Sequence, residues 1–180
     1  MAAFYRLLGA RSPGGRLVER HGVVASVVPS CPAMTLELDR ADLGGDRPAG
    51  IDWRRTGEVA AVAAINEAAY GLPAGQFARV LTALEASSAD VYVARLDDEP
   101  AACVVAVHAQ QDCGIFMVAT VPRAQRRGLA LALIRQALRD ARERGATSSS
   151  LQATRFGRPL YERLGYRDLG AIDMWERRTS

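Results

Sequence analysis

Gly114-Ile115-Phe116-Met117-Val118-Ala119-Thr120-Val121-Pro122-Arg123-Ala124-Gln125-Arg126-Arg127-Gly128-Leu129-Ala130 is the stretch on which the fold turns. It opens as an apolar, β-branched run that reads as a strand, passes through a basic connector at Pro122–Arg127, and enters a helix at a glycine. A helix start carries about four backbone N–H groups without intrahelical acceptors, together with the positive end of the helix dipole, and so can hold an anion. Gly128 lets a ligand approach the backbone, Ala130 keeps the first turn low, and Arg126 and Arg127 add positive charge. Two readings stand at this point: a pyrophosphate site, and an ordinary loop whose solvated arginines lead into a helix.

Downstream, Leu129 to Arg144 is an amphipathic helix. Ala130, Ile134, Ala137, Leu138 and Ala141 fall on one face, and Arg135, Arg139, Asp140, Arg142 and Glu143 on the other, with Gly145 as the stop. Ser148–Ala153 reads as a short strand, Pro159–Leu164 as a short helix closed by Gly165, and Tyr166–Glu176 as the last strand region. Upstream, Val91–Leu96 and Ala102–Ala109 are strands separated by the turn residues Asp97-Asp98-Glu99-Pro100. With the strand from Gly114 they make an antiparallel meander. Earlier still come a strand at Thr35–Asp39, a Gly/Asp/Pro-rich loop at Asp42–Gly50 and a helix at Glu58–Tyr70 ended by Gly71 and Pro73. A second helix follows at Gln76–Ala86. The order predicts an α/β fold with a mixed, mostly antiparallel central sheet and flanking helices.

The remaining 33 residues at the front differ in character. Ser12-Pro13-Gly14-Gly15 is a turn signal, and the valine-rich segment Gly22–Val28 reads as one strand stopped by Pro29 and Pro32. Residues 1–33 are therefore taken as an extension and 34–180 as the main domain. Every one of the 23 basic residues is arginine. The excess charge lies in the extension, with four arginines against one glutamate, whereas 34–180 holds 19 arginines against 19 acids. A nucleic-acid partner is not expected from a neutral main domain, and the apolar runs fall short of the roughly 20 residues a membrane span needs. Cys31, Cys103 and Cys113 have no CxxC spacing and no histidine at ligand distance, so no metal is expected. Cys103, in an apolar run, reads as a small buried hydrophobe. A reducing cytoplasm fits these thiols.

The combination of two segments carries a resemblance. Gln125-Arg126-Arg127-Gly128-Leu129-Ala130 matches the form Q/R-x-x-G-x-G/A that follows a strand in the GNAT acetyltransferase superfamily. Leu160-Tyr161-Glu162-Arg163-Leu164-Gly165-Tyr166 matches that family's L-Y-E-R-L-G-F/Y signature. The resemblance extends over about residues 34–180 in element order. It implies a sheet that splays open at the strand bearing the acyl group, acetyl-CoA as co-substrate, and transfer of an acetyl group to a primary amine without a covalent intermediate.

Residue roles follow from the same resemblance. Met117, Val118, Ala119 and Thr120 would offer backbone groups to the pantetheine arm and the thioester carbonyl, and Gln125 to Ala130 would hold the pyrophosphate. Tyr161 would be the general acid that protonates the departing thiolate, a sensible role for a phenol with a pKa near about 10. Where many relatives carry a cofactor-contacting asparagine, this chain has Thr154, whose hydroxyl can still hydrogen-bond. Some relatives place a glutamate on the strand from Gly114 to Thr120, which here has no carboxylate, so His108, Asp112, Glu67 or a water chain is left as the base. The acceptor is a small-molecule or peptide amine chosen by the Glu58–Ala86 helices. A homodimer contact through a sheet edge or the strand near Val24 is a further expectation. The rival from another class is a non-catalytic acyl-CoA-sensing or interaction module on the same fold.

Overall fold

In the computed structural model, residues 23–25, 31–45, 52–78, 81, 89–172 and 175–177 are described. The meander is the scaffold. Strands β4 (Asp90–Leu96), β5 (Glu99–Ala109) and β6 (Asp112–Thr120) pair antiparallel in sequence order. The β4–β5 link is only Asp97 and Asp98, both at positive φ (54° and 63°). A two-residue hairpin turn whose twist suits the strands needs that conformation, and aspartate tolerates it. The strands are near-continuously buried, with Val91, Tyr92, Val93 and Ala94 facing Ala102, Cys103, Val104 and Val105.

Helices cover both faces. Helix α1 (Val59–Tyr70) buries Val59, Val62, Ala63 and Ile65, and ends where Gly71 takes a left-handed φ of 65°. Helix α2 (Leu129–Glu143) buries Leu129, Leu133, Ile134, Ala137, Leu138 and Ala141, a stripe at helical spacing. The Tyr92 hydroxyl donates to Asp140 of α2 at 2.7 Å, whereas Asn66 of α1 reaches Cys103. Tyr92 stands opposite Val104 and Val93 opposite Cys103, so the two helices lie on opposite faces of the sheet. Fully burying a leucine or isoleucine contributes about 1.5–3 kcal/mol, so the α2 stripe alone fixes how the helix sits.

The seven-stranded sheet runs β3-β4-β5-β6-β7-β2-β8, where β2 is Cys31–Glu37, β3 is Asp52–Thr56, β7 is Ser148–Gln152 and β8 is Arg167–Ile172. Among the described residues only the β6–β7 pairing, bridged by α2, is parallel. Strand β1 (Val23–Ala25) pairs antiparallel with β9 (Trp175–Arg177) apart from this sheet, and α3 (Arg158–Arg163) links β7 to β8. The expected mixed, mostly antiparallel sheet with flanking helices is what forms.

Three details differ from the sequence reading. β2 starts at Cys31, ahead of Thr35, and so crosses residue 33. β3 differs most: Asp-Trp-Arg-Arg-Thr shows no apolar alternation, and among the described residues it pairs with β4 and stands at the edge of the sheet. Of the helix expected at Gln76–Ala86, Ala78 and Leu81 are helical and the rest falls mainly outside the described residues. Among the described residues no helix is long and apolar enough to cross a membrane.

Candidate active site

Strands β6 and β7 stay together for four residues and then part. Asp112 to Ile115 pair with Ser148 to Leu151, and beyond Ile115 β6 continues to Thr120 against β5 alone. The parting coincides with a bulge. Phe116 faces Val105 and Ala119 faces Cys103, so Met117 and Val118 share the single partner position at Val104. Met117 takes φ 49°, the left-handed conformation at a non-glycine residue, which bends the strand outward. Phe116 is left 46% exposed at the mouth of the opening, and its ring lies over Gly114, where a Cβ would come within 2.6 Å of it.

After β6 the chain makes a short 3-10 turn (Pro122–Ala124), and the Gln125 side chain reaches back to the Thr120 carbonyl at 3.4 Å. Arg126 (φ 62°) and Gly128 (φ 80°) then turn the backbone into α2. Gly128 is the N-cap, no side chain caps the helix, and the first intrahelical bond runs from the Ala132 N–H to the Gly128 carbonyl at 3.0 Å. The N–H groups of Leu129, Ala130 and Leu131 are thus left for another acceptor. Among the described residues, the exposed Arg123, Arg126 and Arg127 have no ion-pair partner. An open helix N-terminus beside three uncommitted guanidinium groups fits a pyrophosphate in both charge and donor geometry. The groove lined by Glu37, Asp39, Arg142 and Thr147 lies beside the other end of α2.

The two tyrosines of the downstream segment differ in what their protons do. Tyr161 on α3 is 6% exposed and packs edge-to-face on Tyr166, with centroids 5.8 Å apart. The Ser149 hydroxyl donates to the Cys113 carbonyl at 2.6 Å. Its single hydrogen being spent there, the 2.6 Å contact between Tyr166 and Ser149 has Tyr166 as donor. The Tyr161 hydroxyl, by contrast, has no hydrogen-bond partner among the described residues. Burial, together with the neighbouring Tyr70 at the end of α1, pushes the Tyr161 phenol up to about 12.

The residues considered as bases are all engaged elsewhere. His108 pairs with Cys113 at the start of β6, the end away from the bulge, and bonds Asp90 at 2.9 Å in a cluster with Arg144 and Arg55. It is not brought to the opening, because the residues of β5 that face the bulge are Cys103 to Val105. Asp112, also at that far end, accepts hydrogen bonds from Ser148 and Ser150. Glu67 accepts the backbone N–H groups of Gly75 (3.0 Å) and Phe77 (2.7 Å), and these hold its carboxyl below the usual range despite burial. Thr154, ahead of α3, uses its hydroxyl oxygen to accept the Gly157 N–H at 3.0 Å.

The Asp90 cluster makes a stability prediction. Burial opposes ionisation of Asp90, but hydrogen bonds from Arg144 and His108, with the charges of Arg144 and Arg55, outweigh it and hold the carboxyl low. A depressed carboxyl stabilises the fold above the ordinary aspartate range and loses that contribution as pH falls through its lower folded-state value. Asp90→Asn is therefore expected to cost about 1–3 kcal/mol near neutral pH. The gap from wild type in thermal melts should close on acidification.

Sequence reasoning passed over Asn66. It is 1% exposed on the apolar face of α1, where its amide donates to the Val62 carbonyl at 2.8 Å and to the Cys103 sulfur at 3.4 Å. A polar residue at the helical spacing of Val59 and Val62 was the available signal. Cys103 is buried as expected but also donates to the Met117 carbonyl at 3.2 Å.

A family model described as the acetyltransferase (GNAT) family matches residues 49–166. Among solved structures, a GCN5-related N-acetyltransferase from Kribbella flavida is similar at 23% identity and TM-score 0.63, covering 91% of this chain and 63% of that one. Another from Sphaerobacter thermophilus is similar at 23% identity and TM-score 0.68, over 89% and 54% of the two chains. A tandem GNAT protein from the clavulanic acid biosynthesis pathway is similar at 18% identity and TM-score 0.69, over 99% and 64%. These likenesses are of fold, and the chain spans less than two thirds of the length of each. The comparison with curated proteins finds no match.

Proposed function

Because the chain belongs to the GNAT family of acetyltransferases, we propose that it moves an acetyl group from acetyl-CoA to a primary amine by direct attack. The observation that carries this reading is the uncapped N-terminus of α2, flanked by Arg123, Arg126 and Arg127, directly after the strand that leaves its parallel partner. Acetyl-CoA, when bound, supplies an activated thioester. The N–H groups at the start of α2 and the Gln125–Ala130 segment hold its pyrophosphate, and the Met117–Thr120 backbone holds its pantetheine arm and carbonyl. Donors fixed beforehand on that carbonyl stabilise the charge that develops there. Tyr161, whose proton no group among the described residues claims, delivers it to the departing sulfur.

The catalytic unit in this reading is residues 34–180 together with Cys31–Ala33, which belong to β2, and the residues before them are an extension. It works in the cytoplasm, where the buried thiols of Cys103 and Cys113 stay reduced. The exposed Tyr70 and Phe116 on the α1 side face the acceptor amine. The proton released by that amine leaves through water, since Glu67, His108 and Asp112 are committed elsewhere. The same commitment favours a second reading, an acyl-CoA-sensing module without turnover. A panel of primary amines assayed for acetyl-CoA-dependent thiol release separates the two. Release with at least one amine is expected, and tight acetyl-CoA binding with no release from any would move the assignment to the sensor.

Thr154 yields a quieter expectation. Asparagine at this position can accept the Gly157 N–H as the threonine hydroxyl does and adds donors for a ligand. Thr154→Asn should leave acetyl-CoA affinity in calorimetry unchanged or slightly tighter. A loss beyond the about 0.5–1.5 kcal/mol of one hydrogen bond would mean the site is built differently.

A further inference from the structure

Behind the β6 bulge lies a buried, directional chain of hydrogen bonds. One hydrogen of the Asn66 amide goes to the Val62 carbonyl and the other to the Cys103 sulfur, and the single thiol hydrogen goes to the Met117 carbonyl. Asn66 is 1% and Cys103 0% exposed, so water does not compete for these partners. The chain ends on the one residue of β6 with positive φ, a conformation that is strained for a non-glycine residue and has to be held by its surroundings.

Covalent geometry gives the clamp a consequence. The carbonyl of Met117 and the N–H of Val118 belong to one trans peptide and point in opposite directions. Cys103 is on β5, so a Met117 carbonyl fixed on its thiol aims the Val118 N–H away from β5. That is the side where β7 has parted from β6.

We propose that Asn66 and Cys103 are positioning residues that orient the Met117–Val118 peptide so that its N–H faces the thioester carbonyl. This rests on the acetyl-transfer reading above. Neither side chain touches the reacting atoms. Each acts through the peptide, and an apolar replacement of the same bulk would keep the packing and lose the aim.

The test uses Cys103→Ala, Cys103→Val and Cys103→Ser, with turnover on the best amine, amine KM, thermal melts and the Val118 amide resonance. Misplacing a group by about 1 Å can cost about 10²-fold, so the Ala and Val variants should lose turnover on that scale while amine KM stays within about twofold. Serine keeps a hydrogen to donate and should recover most of the rate. In wild type and Cys103→Ser, acetyl-CoA should shift the Val118 resonance more than CoA does, because only acetyl-CoA brings a carbonyl. In Cys103→Ala that difference should vanish. Folded Ala and Val variants with wild-type turnover, or a folded Ser variant whose Val118 resonance responds alike to acetyl-CoA and CoA, would overturn the inference. Should the Ala and Val variants fail to fold, the Ser variant and wild type still decide it through that resonance. Failure of wild type to bind acetyl-CoA at all would instead refute the functional reading beneath it, and calorimetry on wild type reads that separately.

Discussion

Tyr161→Phe is expected to lower turnover by about 10²–10⁴-fold, the usual cost of losing a general acid, while acetyl-CoA affinity stays near wild type. The substitution removes one oxygen and keeps the ring, so the edge-to-face contact with Tyr166 survives. The choice between the two tyrosines follows from their protons: Tyr166 donates to Ser149, and Tyr161 has no acceptor among the described residues. Burial keeps the Tyr161 phenol protonated far above neutral pH, and a departing thiolate needs that proton more than the ground-state thioester does. The loss should therefore appear in kcat and not in binding.

The same burial has a stability signature with a definite sign. A pKa raised from about 10 in the unfolded chain to about 12 in the fold contributes stability below the lower value and loses it as pH climbs through the higher one. Tyr161→Phe should accordingly be less sensitive to alkali than wild type in melts between those limits. Equal turnover of the two proteins on the best amine would remove Tyr161 from the mechanism.

Gly128→Glu should weaken acetyl-CoA binding by well over tenfold, more than about 1.4 kcal/mol. The new carboxylate would stand at the helix start where the N–H groups of Leu129, Ala130 and Leu131 await an anion, and would repel or replace the pyrophosphate. Gly128 also has φ 80°, so any side chain there strains the backbone. Gly128→Ala carries that strain without the charge and is the control. Calorimetry on the two variants, each checked by thermal melting, separates the effects. A folded Gly128→Glu protein with wild-type affinity would end the assignment of this segment.

Much of this architecture was legible because its elements are long and periodic. The meander announces itself through apolar strands split by Asp97-Asp98, and α2 through a stripe repeated over four turns. The Gly128 helix start was visible as a glycine after a basic run. What escaped depends on pairing, which a single sequence does not contain. The strand containing His108 was foreseen, but which end of it meets the opening follows from the register of β5 on β6. The bulge is one extra residue in that register, and no residue type in Met117-Val118 advertises it. Asn66 gains its meaning only once α1 is seen to lie over Cys103. β3 was hidden because an edge strand has no need of alternating apolar residues.

The place of β2 has a consequence for how the molecule is made. Although early in the chain, β2 is inserted between β7 and β8, with Met34 opposite Leu151 on one side and Asp168 on the other. On the ribosome the meander and α2 can assemble from contacts close in sequence. The earlier strand must wait, its apolar residues Met34 and Leu36 uncovered, until the last quarter of the chain emerges. Closing a loop of more than a hundred residues is then the late, slow event of folding. Chaperone dependence and aggregation during synthesis should concentrate on this one strand. A circular permutant that begins just before β3 and carries residues 31–45 behind β8 would deliver β2 when its partners are already present, keep β3 and α1 next to the meander they pack on, and should fold faster with the same sheet.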